Sequence, residues 1–149
     1  MSDRSDNSQT KITDSLREIY NDTVADHVIR PRHAGSLPSS DGYAKVRSNC
    51  GESMEIWLKV KDNRIDEIGF WTDGCAATIA CGSMAASLTT EKIVADVLHM
   101  DFMTIVDGLE GLPEGNYHCA QLAIEAVKAA TRDYLALQRD PWKKAYRHK

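Results

Sequence analysis

From Met54 to Lys61 the side chains alternate one for one, with Met54, Ile56, Leu58 and Val60 set against Glu55, Trp57, Lys59 and Lys61. A period of two sends the two sets to opposite faces, so this segment must be a β-strand with one covered face. Asp62-Asn63 can turn the chain, and Arg64 to Thr72 (RIDEIGFWT) supplies a β-prone partner for an antiparallel hairpin. Tyr43 to Ser48 adds a third strand. From Cys75 onward the period is helical: Ala76 to Leu88, then Thr90 to His99 with Thr90 as cap, then a short helix over Asp101 to Gly108. After a turn marked by Gly111, Pro113 and Gly115, the last helix carries Leu122, Ala123, Ala126, Val127, Ala130 and Tyr134 on one stripe. Gln121, Glu125, Lys128 and Arg132 stand opposite, and the helix ends before Pro141. A sheet with a single apolar face followed by a run of helices predicts an α+β domain, a small antiparallel three-stranded sheet covered by helices.

Upstream, Leu16, Ile19, Tyr20, Thr23, Val24, His27 and Val28 recur at steps of three and four. This predicts one amphipathic helix, with Asp14 as cap and Pro31 as stop, followed by a loop over residues 32–42. The expected organisation is a polar tail over 1–15, a single domain over 16–140 and a basic tail over 141–149. That last tail reads as a solvated end, or more sharply as a docking segment for an acidic partner surface. The chain's 149 residues, 42% of them hydrophobic, suffice for one core. Eighteen Lys and Arg against 22 Asp and Glu leave a net charge of −4, without the basic surplus that a nucleic-acid partner demands. No run approaches the roughly 18 apolar residues of a membrane span, and MSDRSDNSQTKITD lacks the apolar centre of a signal peptide. The expected location is cytoplasmic, with no membrane contact and with the cysteines as thiols.

Cys50, Cys75, Cys81 and Cys119 include no C-x-x-C pair, so a zinc-finger, zinc-ribbon or thioredoxin-type site is excluded. Any metal site must be assembled from distant segments. Cys50 precedes Gly51-Glu52 between two strands, where glycine lets the backbone bend so that thiol and carboxylate point to one side. Cys75 lies where a strand gives way to a helix, and the unpaired N–H groups of a helix start favour an anion. His118-Cys119 opens the last helix, and imidazole is the commonest metal ligand. Cys81 differs. Six positions after Cys75 it is turned roughly 120° away on the helix, in line with Met84, Ala85 and Leu88, and is expected to pack in the core. His27, His33, His99 and His148 have no such neighbours and are expected to be structural or solvated. Three thiols with one oxygen or nitrogen donor form a set that soft and borderline transition metals accept. Zinc accepts the same donors.

Three segments together carry a resemblance: Asn49-Cys50-Gly51-Glu52-Ser53-Met54, Gly74-Cys75-Ala76-Ala77-Thr78-Ile79-Ala80-Cys81-Gly82-Ser83, and His118-Cys119. With Tyr20 to His27 and Arg30 to Gly35, they resemble iron–sulfur cluster assembly scaffolds of the IscU and NifU N-terminal type over about Leu16 to Leu137. The resemblance implies that family's fold, and a scaffold rather than an enzyme. It implies that a 2Fe-2S cluster is built transiently from iron on Cys50, Cys75 and Cys119, with Glu52 or His118 as fourth ligand. It further implies sulfur supplied by a cysteine desulfurase, with Cys119 the favoured acceptor as an accessible, mobile thiol, and delivery to apo iron–sulfur proteins. The alternative is a zinc-containing persulfide acceptor of the SufU type, and zinc is compatible with the isolated protein. Three departures stand out. The family's C-G-D is Cys50-Gly51-Glu52 here, and its G-C-G-x-A-I-A-S-S-S carries Ala76, Thr78, Cys81 and Gly82. The L-P-P-V-K tract that recruits a dedicated Hsp70-type chaperone is replaced by Leu112-Pro113-Glu114-Gly115-Asn116, which counts against that partner. The short span from Cys75 to Cys119 leaves no room for the SufU insertion.

Overall fold

The computed structural model describes residues 11, 12 and 14–142; most of the two tails lies outside them. Residues 14–19 are helical, followed by α1 (Asp22–Ile29), β1 (Gly42–Arg47), β2 (Ser53–Lys61) and β3 (Arg64–Thr72). Then come α2 (Ala76–Thr89), α3 (Val94–Val97), α4 (Phe102–Gly108), a 3-10 turn (Glu114–Asn116) and α5 (Tyr117–Arg139).

The three strands form one antiparallel sheet in the order β1-β2-β3. Asp62 and Asn63 both have positive φ, 53° and 64°, as the two-residue hairpin turn between β2 and β3 requires. The alternation read in β2 sets the faces: Met54, Ile56 and Leu58 are fully buried. Ile68 and Phe70 join them from β3, with Ala44 and Val46 from β1. Helices α2 and α5 cover this face, α5 along β1 and β2 and α2 along β3. Each buried aliphatic side chain here stabilises the fold by about 1.5–3 kcal/mol. The segment 33–35 runs beside β3, with Gly35 N–H donating to Phe70 O at 2.8 Å and Phe70 N–H to His33 O at 3.0 Å. The α+β architecture is the one expected, and no helix among the described residues is long and apolar enough to cross a membrane.

Two helices differ from the expectation. The amphipathic helix read as continuous is interrupted at Tyr20-Asn21, and Asp14 is itself helical rather than a cap. Asn21 caps α1 instead: its Oδ1 accepts from Val24 N–H at 2.8 Å. Its Nδ2 donates to the carbonyls of Leu109, Glu110 and Gly111 at 3.0–3.1 Å, which ties α1 to the end of α4. The helix expected over Thr90 to His99 shrinks to α3, because Thr90 closes α2 by donating from its backbone and its hydroxyl to Ala86 O. Residues 91–93 then pair with β3: Glu91 N–H donates to Ile65 O at 2.7 Å and Ile65 N–H to Lys92 O at 3.0 Å. Backbone groups committed to the sheet cannot also serve a helix.

Candidate metal centre

Three chain segments meet where α2 and α5 begin. The β1–β2 loop is folded back on itself, with Ser48 N–H donating to Glu52 O at 2.7 Å and Gly51 N–H to Ser48 O at 3.0 Å. Gly51 sits at φ +92°, the left-handed bend expected of it. Side-chain ties fasten this loop to the β3–α2 loop. Asp73 Oδ1 accepts from Ser53 N–H at 2.7 Å, and the Thr72 hydroxyl donates to Ser53 O at 2.6 Å while accepting from Gly74 N–H at 3.0 Å. Glu52 is thereby held against the start of α2. Cys75 is the N-cap residue of that helix, in an extended conformation and with no side-chain capping bond of its own.

The Glu52 carboxylate joins the segments. One oxygen accepts from Cys75 N–H at 3.4 Å and the other from the Thr78 hydroxyl at 3.2 Å. Thr78 Oγ1 also lies 3.3 Å from Cys119 Sγ and 3.6 Å from Cys75 Sγ. From α5, His118 Nε2 approaches Cys119 Sγ to 3.6 Å. A carboxylate oxygen of Glu52, an imidazole nitrogen of His118 and Cys119 Sγ all fall within 4.8 Å of one another. Cys75 stands beside this group through Thr78. Cys50 is outside it, exposed at the tip of its loop, and with His118 and Arg47 it lines an adjacent cleft of about 390 Å³.

Of the five residues expected at the site, the structure thus gathers Glu52, His118 and Cys119 closely, with Cys75 next to them and Cys50 on the rim. The expectation that Cys119 is an accessible thiol is not met. Cys119 is 0% exposed, since it falls on the same stripe of α5 as Leu122, Ala123 and Ala126, which faces the core. Burial pushes its thiol up to about 11, and the neighbouring Cys75 and Glu52 add to the rise. Cys50 and Cys75 are the exposed thiols. Cys81 is fully buried, as expected, and burial raises its pKa strongly. His27 is also structural, with its Nδ1 2.6 Å from Ser83 Oγ. Burial, then the neighbouring sulfurs of Cys75, Cys119 and Cys81, hold the Tyr20 phenol above its ordinary value. Thr78 is the site residue that sequence reasoning missed: it looks like one more small residue in an Ala-rich helix. Its signal was its place in the first turn of a helix capped by a cysteine.

Oxygen, nitrogen and sulfur donors converging beside a further thiol suit a four-coordinate zinc site. They suit cluster iron equally.

The family described as NifU-like N terminal domain matches residues 19–140. An iron-sulfur cluster assembly scaffold protein IscU from Archaeoglobus fulgidus is 41% identical over 117 residues, covering 78% of this chain and 76% of that protein. An IscU scaffold from Aquifex aeolicus is 33% identical over 122 residues, covering 80% and 78%. Among solved structures, a NifU-like N-terminal protein from Brucella abortus shares the fold with a TM-score of 0.63 at 21% identity, over 81% of this chain and 97% of that one. The chain belongs to the NifU N-terminal family, together with the IscU scaffolds.

Proposed function

We propose that this protein is a scaffold on which an iron–sulfur cluster is assembled and from which it is passed to apo-proteins. The observation that carries the proposal is the convergence of Glu52, His118 and Cys119 within 4.8 Å beside Cys75, in a chain whose relatives are named as such scaffolds. The cluster is cargo, so the protein acts as a carrier rather than an enzyme. Cys119 supplies the anchored sulfur, Cys75 the sulfur at the helix start, and Cys50 a third from the exposed β1–β2 loop. Glu52 and His118 stand on the same side and compete for the remaining position. A carboxylate holds cluster iron less firmly than a thiolate, which makes it the contact that yields on transfer. A cargo of 2Fe-2S type, sulfur from a cysteine desulfurase and a cytoplasmic site of action complete the proposal. The basic tail, from residue 143 on outside the described residues, is kept as a solvated end or a docking segment for an acidic partner.

The donor set is also one that zinc accepts, which keeps a zinc-containing persulfide acceptor as the second reading. Anaerobic incubation with a cysteine desulfurase, cysteine, ferrous iron and a thiol reductant, which takes persulfide sulfur to sulfide, separates the two. The scaffold becomes coloured, carries iron and acid-labile sulfide, and converts an apo-ferredoxin. A colourless protein that keeps zinc and accumulates persulfide instead would replace the scaffold reading with the second one.

A further inference from the structure

Thr78 is 0% exposed, yet its hydroxyl reaches three of the site's side chains: Glu52 at 3.2 Å, Cys119 at 3.3 Å and Cys75 at 3.6 Å. A hydroxyl has one proton and two lone pairs, so it can donate to one partner while accepting from others. The ionised carboxylate is the strongest acceptor of the three, which leaves the oxygen lone pairs facing the two sulfurs. Packing fixes the side chain in this position. A Cβ placed on Gly74 would stand 2.7 Å from both Oγ1 and Cβ of Thr78, so only glycine leaves room for it. The contact also completes the start of α2. Thr78 is the third residue after the Cys75 cap, the position whose side chain reaches back to the cap N–H in a capping box. Here Glu52 accepts that N–H from another segment, and Thr78 holds Glu52 there.

We propose that Thr78 is the positioning residue of this centre: its hydroxyl holds the Glu52 carboxylate over Cys119 and so presents the oxygen and sulfur donors together to an incoming metal. The proposal rests on the metal-binding reading above. Thr78 need not touch the metal. It acts on the donors, as hydrogen-bond partners of metal ligands do elsewhere, where their loss costs about 10–100-fold in affinity.

The test uses zinc and cobalt alone with the full chain. Zinc affinity is measured by competition with a chromophoric chelator, and the cobalt spectrum reports which donors bind. Thr78→Val keeps the shape and removes only the hydroxyl; it should weaken zinc by about 10–100-fold and alter the cobalt spectrum as the carboxylate drifts away. Thr78→Ser should restore both. In a Glu52→Ala background the same Thr78→Val change should cost far less, because the group it positions is gone. Should Thr78→Val fail to fold, Thr78→Ala is read in its place, in a turn already built of Ala76, Ala77 and Ala80. Parental affinity and spectrum in the valine variant would overturn the proposal. So would an equal loss with and without Glu52, since the hydroxyl would then act on something other than that carboxylate, or a serine variant no better than valine, since the hydroxyl would then not be what restores the site. A parental chain that binds neither metal would instead overturn the functional reading itself.

Discussion

Two cysteines in this protein are completely buried, and their surroundings are opposite in kind. Cys81 lies mid-helix in α2, against core residues. Cys119 lies in the first turn of α5, with Thr78 and His118 within 3.3 and 3.6 Å of its sulfur and Glu52 close by. Both thiols are raised by burial, so neither burial nor proton affinity tells the two apart. What distinguishes them is where on its helix each one falls. A helix interior offers a cysteine only side chains from its own stripe and the layer beneath, whereas a helix start brings it against loops, and loops carry the polar donors.

The comparison breaks most visibly in metal binding. Cys119→Ala should cost at least about 100-fold in zinc affinity, since a ligand is gone, while Cys81→Ala should leave affinity unchanged. Equal effects from the two, measured by chelator competition, would erase the distinction drawn here. Reactivity sharpens it from the other side. Cys50 and Cys75 should be alkylated quickly in the folded protein, with Cys81 and Cys119 protected until denaturant is added, because a thiol must be reached to react. Peptide mapping after timed labelling reads this directly. Early labelling of Cys119 would mean that the first turn of α5 opens readily, and would restore Cys119 as the accessible sulfur acceptor.

Smaller effects concern stability. Cys81→Ser places a hydroxyl in an apolar layer and should lower unfolding stability by about 1–3 kcal/mol without touching metal affinity, as judged by urea melts. The pH dependence of Cys119 is of similar size. Its folded pKa is raised to about 11 from an ordinary 9, so folding favours the protonated thiol. That contribution is complete below about pH 9 and is lost as pH rises through about 11. Urea melts at pH 8 and pH 10.5 should therefore show a loss in the parent that is reduced in Cys119→Ala; identical losses would remove the buried thiol as its source.

Much of this geometry is written in the sequence at short range. Alternation over Met54 to Val60 fixes the strand and its covered face, and the three cysteine contexts announce themselves by glycine or a turn beside each thiol. The Tyr20-Asn21 break is hidden because the apolar period continues through it, and because the Asn21 side chain is claimed by carbonyls near Leu109, far along the chain. The shortening of the helix after Thr90 is hidden for a similar reason: its backbone is taken by Ile65 of β3. Burial of Cys119 was legible in its spacing from Leu122, Ala123 and Ala126, though its place at a helix start pointed toward exposure. The role of Thr78 was not legible, since its partners Glu52 and Cys119 lie 26 and 41 positions away. Local pattern fixes the elements, while the centre is made by contacts between them.

The most direct measurement is the iron and acid-labile sulfide retained per chain after anaerobic assembly with a cysteine desulfurase, cysteine, ferrous iron and a thiol reductant, compared across the four single cysteine-to-alanine variants. If the thiols at the ends of elements build the cluster, Cys50→Ala, Cys75→Ala and Cys119→Ala each lose the iron, the sulfide and the visible absorbance, while Cys81→Ala keeps all three at the parental level. A cluster that survives Cys119→Ala but disappears in Cys81→Ala would contradict the assignment of ligand and core.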